Sequence, residues 1–357
     1  MRILFVIPSL SRGGAERVAV RLAKELAQKH DVTLCLYRNQ IEYLPPSNVE
    51  LQVLDTEGAN FLSKIKNTFL RVYYLKEILS NQKYDIFLSF MGNLQPILTG
   101  EKVIVSIRNN PLYFPLSVKA QLYTIYHLPN VVRVVGVSRK ISDILRKKFL
   151  IERTTHIYNP IDFSEIQTFV QESPKEGYFP YILAVGRLHS QKNFPLLIKA
   201  FVHSNLKDKY KLIILGEGNE RKKLKNLISS LGMENRIFLL GKVSNPYIYM
   251  KNAKFLVLTS NYEGFPNVLI ESLACGTPVI ATNCDTGPNE IVEHGKNGLL
   301  VPVRNMEALV KAMEEFDKNE ELYMKCKSYA KESVRKFDIK IIAKKWESLF
   351  EEVLNER

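Results

Sequence analysis

Residues 259–288 read TSNYEGFPNVLIESLACGTPVIATNCDTGP, and the punctuation of this stretch decides the fold. It follows an apolar run, Phe255-Leu256-Val257-Leu258, that reads as the end of a strand. The pattern breaks at Glu263-Gly264-Phe265-Pro266 and continues as a helix to about Cys275. Pro266 suits the first helical turn, where its missing N–H costs nothing. Gly276 reads as the helix C-cap, and Thr277-Pro278-Val279-Ile280-Ala281 as a short buried strand. Strand, loop, helix, strand is one unit of a parallel sheet. Backbone N–H groups at the helix start favour an anion, typically a phosphate.

Two carboxylates punctuate that unit. Glu263 lies in the loop and Glu271 more than one turn inside the helix. A carboxylate near the helix start can accept from sugar hydroxyls while the N–H groups face phosphate, a combination suited to a sugar joined to a diphosphate. The commoner account of two such acids is structural: Glu263 as a partner of the helix dipole and Glu271 as a solvated helix residue.

Working outward, the 357 residues exceed a usual single core, so two domains are expected. The polar, turn-rich run Gln171-Glu172-Ser173-Pro174-Lys175-Glu176-Gly177 places the linker at 166–178, between domains at 1–165 and 179–337. Residues 338–357 carry Trp346, Leu349, Phe350 and Val353 at helical spacing and should dock on a core. Four cysteines, Cys35, Cys275, Cys284 and Cys326, show no metal spacing and read as reduced thiols of a cytosolic enzyme. The N-terminal run MRILFVIPSL is too short for a signal peptide or membrane span, and no stretch approaches roughly 18 apolar residues. The expectation is a cytoplasmic protein, which leaves the membrane surface open to it.

Net charge is +13. Residues 1–165 hold 22 Lys and Arg against 14 Asp and Glu, so the first half carries +8 and the remainder +5. Nucleic acid, anionic lipid and phosphorylated substrates would all be attracted, and charge alone does not separate them.

In chain order, Arg2–Ile7 is an apolar strand, followed by Pro8 to Gly14 and a helix from about Ala15 to Lys29. This is the opening of a doubly wound α/β domain. Gly13-Gly14 lets backbone approach a ligand closely. The turn is not GxGxxG and no acid is placed to bind a ribose about twenty residues on, so a dinucleotide site is disfavoured. Further strands are expected at 32–36, 86–90, 103–107, 131–135 and 155–158.

Residues 61–80 form one long helix, in which Phe61, Ile65, Phe69, Tyr73 and Tyr74 interleave with Lys64, Lys66, Arg71 and Lys76. Its apolar set is wider than one core-facing stripe, so some aromatic surface should lie beside the basic groups. Arg108 ends a buried strand at the carboxyl edge where ligands bind in such sheets. A second basic helix is expected over 139–149. The same architecture restarts with strands at 181–185, 211–215 and 236–240. The turn at 186–193 carries Arg187 and Lys192, two cations that could clamp a diphosphate and stabilise it as it leaves.

GGAER at 13–17, GRLHSQKN at 186–193, GEG at 216–218, EGFPNVLIE at 263–271, TGPNEIV at 286–292 and NGLLVP at 297–302 occur in order. Together they resemble a retaining family 4 glycosyltransferase of the GT-B fold over essentially the whole chain. The resemblance implies two Rossmann-like domains facing a cleft, with the last helix crossing back to the first domain. It also implies a nucleotide-sugar donor, a UDP-sugar by preference, held mainly by the second domain. Arg187 and Lys192 would grip the diphosphate, with Gly186 and Gly216 beside them, and Glu271 would bind the ribose. Glu263, with the backbone of Gly264, Phe265, Pro266, Asn267 and Val268, would hold the sugar and β-phosphate. Lys242 and Val243 would lie by the base, and Gly14 would close over the phosphates.

Such enzymes retain anomeric configuration by front-face attack, the departing diphosphate helping to take the acceptor proton. The resemblance implies no metal and no cofactor, and no DxD cluster is present. Several relatives carry His where this chain has Arg108, whose role (sugar, phosphate or acceptor contact) stays open. The GGAER opening and the basic aromatic helix resemble transferases acting on polyprenyl-diphosphate-linked sugars, among them N-acetylgalactosamine-adding enzymes of bacterial protein glycosylation. In that picture Gly13, Lys64, Lys66, Arg71 and Lys76 meet the lipid diphosphate or anionic headgroups at the cytoplasmic face of the membrane, and nucleic acid is not a partner. A GT-B nucleotide-sugar epimerase would share the fold and turn over donor with no acceptor. A non-catalytic basic membrane or nucleic-acid binder would explain the charge but not the diphosphate-clamp motifs.

Overall fold

The computed structural model describes residues 1–11, 13–56, 61–170 and 180–356, with the side chains of residues 61, 62 and 64 outside that description. The chain forms two compact units, Met1–Pro160 with Ile339–Arg357, and Ile161–Asp338.

The first unit opens with β1 (Arg2–Ile7), α1 (Gly14–Leu26), β2 (Asp31–Leu36), β3 (Glu50–Val53) and α2 (Phe61–Asn81). It continues through β4 (Ile86–Ser89), α3 (Leu94–Leu98), β5 (Val103–Ile107), α4 (Leu116–Tyr123), β6 (Val131–Gly136), α5 (Arg139–Phe149) and β7 (Thr154–His156). Its seven strands pair in the order β3-β2-β1-β4-β5-β6-β7, all parallel. Strands buried on both faces read as unbroken apolar runs, which is why ILFVI and VIVSI were legible. The edge strand β3, ELQV, is half polar because it pairs on one side only, and periodicity missed it.

The second unit runs α6 (Phe163–Phe169), β8 (Tyr181–Val185), α7 (Phe194–His203), α8 (Leu206–Lys209), β9 (Lys211–Leu215) and α9 (Arg221–Ser230). Then come β10 (Ile237–Gly241), α10 (Pro246–Asn252), β11 (Leu256–Leu258), α11 (Asn267–Ala274), β12 (Val279–Thr282), α12 (Pro288–Ile291) and β13 (Gly298–Val301). Helices α13 (Met306–Lys318) and α14 (Glu320–Ser333) close it. The parallel sheet has the order β10-β9-β8-β11-β12-β13. The deciding stretch is therefore the β11–α11–β12 unit, with Pro266 as the N-cap rather than the first helical residue. Helix α6 packs on α10, where Asn245 Nδ2 donates to the Phe169 carbonyl at 2.9 Å. The expected linker at 166–178 thus begins inside α6, and from residue 171 it lies outside the described residues.

One face of the first sheet, Ile3, Phe5, Ile7, Leu34 and Leu88, is covered by α1 and by the last helix, α15 (Ile339–Asn355). Trp346 and Phe350 of α15 are buried there, 5.8 Å apart between ring centroids. Glu347 accepts from His30 and Lys29 at 3.1 and 3.3 Å. Right-handed crossovers put α2 to α5 on the opposite face. Among the described residues no helix is long and apolar enough to cross a membrane.

Trp346→Ala is expected to lower stability by about 3–5 kcal/mol through lost burial and the cavity left behind. Because Trp346 is the single tryptophan, the check is urea unfolding followed by circular dichroism. A shift of under roughly 1 kcal/mol would show that α15 is not part of the cooperative core.

Candidate active site

In a doubly wound sheet, ligands bind outside the carboxyl ends of strands where the strand order reverses. In the second unit that point lies between β8 and β11. The loop after β8 holds Gly186, Arg187 and Lys192, and the loop after β11 holds Glu263, Gly264, Phe265 and Pro266. Asn267, Val268 and Glu271 follow on α11.

Lys192 and Glu263 meet. Lys192 Nζ donates to Glu263 Oε1 at 2.5 Å, and Ser260 Oγ donates to the same oxygen at 2.5 Å. The two charged side chains are 15% and 7% exposed, so this is a buried pair rather than a solvated one. Among the described residues nothing donates to Glu263 Oε2, which leaves one carboxylate oxygen available to a hydroxyl group. Glu271, five residues into α11, is also buried. The structural account of Glu271 as a solvated helix residue therefore does not hold.

The pair is held by its loops. Gln191 Nε2 donates to the Tyr262 carbonyl at 2.9 Å, and Asn261 N–H donates to the Gln191 carbonyl at 2.8 Å. Thr259 Oγ1 donates to the Lys192 carbonyl at 2.9 Å, and Thr286 Oγ1 to the Glu263 carbonyl. Sequence reading passed over these supporting residues. The one available signal was that Thr286 opens the TGPNEIV motif. Asn193 turns the chain into α7 with φ +50°, a conformation that asparagine tolerates better than most residues.

Gly216 has φ +138°, and a Cβ there would fall 1.9 Å from the Gly186 carbonyl oxygen. Only glycine lets these loops close on each other. Arg187 is exposed, and its side chain has no partner among the described residues. Lys242 and Val243 follow β10 on the same sheet edge. Phe265 is committed to the interior, its ring 5.2 Å from that of Phe337. Pro266 makes no side-chain cap, so the first N–H groups of α11 take no cap from it. Burial pushes the Cys284 and Cys275 thiols up to about 12, with the charges of Glu263 and Glu271 adding to the effect. Both thiols stay protonated and unreactive at neutral pH.

In the first unit, Gly13 caps α1 and Gly14 is its first residue. A Cβ on Gly13 would collide with the Glu16 carboxylate, which folds back over the helix start. The cations of α2 divide. Lys66 and Lys76 are exposed, while the Lys64 side chain lies outside the described residues.

Arg71, expected to face an anionic ligand, turns inward. Its Nε donates to Thr56 Oγ1 and its Nη2 to the Thr56 carbonyl, both at 2.6 Å. Its guanidinium lies 4.6 Å from the Tyr37 ring centroid. A guanidinium satisfied by a carbonyl and a ring tethers α2 to the β3 exit loop. Arg108 follows β5, donates to Ser106 Oγ at 3.3 Å and to Asn159 Oδ1, and stacks 4.3 Å from the Phe90 ring centroid.

Breaking a buried ion pair leaves one charge uncompensated. Lys192→Met and Glu263→Gln are each expected to cost about 3 kcal/mol in chemical denaturation. The double variant should lose at least about 1 kcal/mol less than the sum of the singles. Additive losses would mean that the pair carries no coupling.

Comparison with known proteins bears on what this edge does. A profile described as Glycosyltransferase Family 4 matches residues 12–165, and one described as Glycosyl transferases group 1 matches residues 165–333. The chain is 30% identical to a Campylobacter jejuni enzyme, GalNAc-alpha-(1->4)-GalNAc-alpha-(1->3)-diNAcBac-PP-undecaprenol alpha-1,4-N-acetyl-D-galactosaminyltransferase, over 99% of both chains. It is 32% identical to a second Campylobacter jejuni enzyme, N-acetylgalactosamine-N,N'-diacetylbacillosaminyl-diphospho-undecaprenol 4-alpha-N-acetylgalactosaminyltransferase, covering 93% of this chain and 94% of the relative.

Among solved structures, Anabaena HepE in complex with UDP superposes with a TM-score of 0.79 at 21% identity, over 99% of this chain and all of HepE. Sucrose-phosphate synthase from Thermosynechococcus elongatus superposes with a TM-score of 0.84 at 18% identity, over the full length of both. Two parallel-sheet units of this topology, two matching family profiles and relatives matched from end to end lead to one statement: the chain belongs to glycosyltransferase family 4 and has the GT-B fold.

Proposed function

We propose that this protein is a retaining, metal-independent glycosyltransferase. It moves N-acetylgalactosamine or a related hexose from a UDP-sugar to a polyprenyl-diphosphate-linked glycan at the cytoplasmic face of the membrane. The product would serve surface polysaccharide or glycoprotein glycan assembly. The observation that carries the reading is the buried Lys192–Glu263 pair at the reversal point of the second sheet, beside the exposed Arg187. The printed activities of the two Campylobacter jejuni relatives, both N-acetylgalactosaminyltransferases acting on undecaprenyl-diphosphate glycans, support the choice of sugar and acceptor. HepE, crystallised with UDP, supports the choice of nucleotide.

The chemistry follows from where charge develops. As the bond between the anomeric carbon and the diphosphate oxygen breaks, negative charge builds on the β-phosphate and positive charge on the sugar ring. Arg187 and Lys192 take up the first, with the N–H groups at the start of α11 aimed at the same oxygens. Glu263 holds the sugar through Oε2, and its Oε1 keeps Lys192 in place. Glu271, buried on α11, receives the ribose hydroxyls. The acceptor hydroxyl enters on the face the diphosphate leaves and passes its proton to the departing phosphate oxygen. No protein nucleophile is required, and the protein's part is to orient both substrates and neutralise the leaving group.

For the membrane, helix α2 exposes Ile65, Phe69 and Tyr73 at four-residue spacing, with Lys66 and Lys76 exposed alongside. Phe69 and Tyr73, 72% and 63% exposed, lie one helical turn apart with Ile65 and make an apolar stripe on the helix surface. Apolar anchors flanked by lysines suit the interface of an anionic bilayer.

A screen of UDP-, GDP- and ADP-sugars by thermal stabilisation tests the donor. A ligand at 100 times its Kd contributes about 2.7 kcal/mol. One responder is expected among UDP-sugars, lost in Arg187→Ala and in Glu271→Gln. No response from folded protein sinks the reading, and donor turnover without acceptor would favour an epimerase. Vesicle co-sedimentation tests the membrane surface. Binding to phosphatidylglycerol vesicles should fall at least about fivefold in Phe69→Ser/Tyr73→Ser and weaken with salt. Unchanged binding would remove α2 from the interface.

A further inference from the structure

Arg108 is a cation that the protein itself does not neutralise. Its guanidinium offers five N–H donors. The described residues take two of them, through the Ser106 hydroxyl and the Asn159 amide oxygen, and neither acceptor is charged. The buried Nε has no partner, and no described carboxylate forms an ion pair with the side chain. Burial lowers the pKa of the guanidinium from its usual value to about 9, a sign of how poorly the fold alone solvates this charge.

Two residues on, Asn110 is fully buried and its Nδ2 also lacks a partner. Its orientation is fixed, because Oδ1 accepts from Leu112 N–H at 3.0 Å and a flip of the amide would break that bond. The strand end therefore carries a surplus of donors with no matching acceptor. Evolution does not usually leave such groups bare in a stable fold.

The guanidinium is also held in place. The Phe90 ring lies against its face and Asn159 fixes one Nη. The side chain is only partly buried, so a ligand can reach it. It sits where β5 ends, beside β4, on the carboxyl edge of the first sheet. A planar fork of donors, pre-oriented and without a counter-ion, matches phosphoryl oxygens in a bidentate arrangement.

We propose that Arg108 is the diphosphate-reading residue of the first unit, its guanidinium pairing with phosphoryl oxygens of a bound diphosphate. The inference rests on the transferase reading only for the source of that diphosphate, which both the lipid-linked acceptor and the nucleotide donor carry. It assigns Arg108 to phosphate rather than to a sugar hydroxyl.

The full-length protein is titrated with farnesyl diphosphate and, separately, with UDP, as wild type, Arg108→Leu and Arg108→Lys. Loss of one charge-assisted pair should weaken the diphosphate concerned by about tenfold or more in Arg108→Leu, with partial recovery in Arg108→Lys. A loss confined to farnesyl diphosphate supports the proposal with the lipid as source, and a loss confined to UDP supports it with the donor as source.

Thermal unfolding without ligand is the control. A residue kept for a ligand leaves the midpoint of Arg108→Leu unchanged or raised, since an unneutralised buried charge is removed. Affinities within twofold of wild type for both ligands overturn the proposal. So does failure of both Arg108→Leu and a second variant, Arg108→Gln, to fold, because the role is then structural. Neither titration requires turnover, so a negative donor screen would end the transferase reading and leave this result standing.

Discussion

The second unit depends on one constraint: a charge withdrawn from water must be paired. Lys192 and Glu263 come from different strand exits, and their contact fixes the distance between the β8 and β11 loops. A lone buried ammonium or carboxylate would cost several kcal/mol, so the loops cannot separate without exposing or stranding one of them. The supporting bonds from Gln191 and Thr259 run between backbone and side chain of the same two loops, and Thr286, after β12, ties a third loop to the Glu263 carbonyl. The result is a cross-linked loop edge whose remaining acceptor, Glu263 Oε2, can address a neutral polar group. Cation and carboxylate in contact suit a substrate that is anionic at one end and hydroxylated at the other.

The first unit handles its arginines differently. Arg71 is satisfied by a carbonyl, a hydroxyl and an aromatic face, and its burial lowers its pKa while the Tyr37 phenol opposes the shift. Arg108 has an aromatic face and two neutral acceptors, and donors left over. Both lie in a half of the chain with an excess of eight positive charges. Residue type and net charge do not distinguish the two. What distinguishes them is the Nε: that of Arg71 donates to Thr56 Oγ1, whereas the buried Nε of Arg108 has no partner.

Surface composition completes the division. Lys66 and Lys76 stay in solvent beside Phe69 and Tyr73, whereas Leu75 of the same helix is fully buried. A helix 21 residues long with apolar side chains on more than one face cannot bury them all against one sheet. The excess aromatic surface, flanked by lysines, is the physical basis of the membrane proposal.

The sequence alone determined the central strands of the sheets and the loops that end them. Runs such as ILFVI, YILAV and KLIIL are legible because central strands of a parallel sheet are apolar on both faces, and each ends in a glycine- or proline-containing loop that marks the carboxyl edge. Arg187, Lys192, Glu263 and Arg108 were singled out by their place at or just after strand ends and Glu271 by its place inside the following helix, while their roles came from the resemblance. Tertiary structure decided their environments. Glu271, which looks solvated, is buried, and Glu263 is buried on a lysine 71 residues away. An arginine expected to face a ligand binds Thr56 instead, and the half-polar edge strand β3 formed where no pattern announced it. Linear patterns record which face of an element is apolar. Which donor meets which acceptor depends on contacts between residues far apart in the chain, and these exist only once the sheets have assembled.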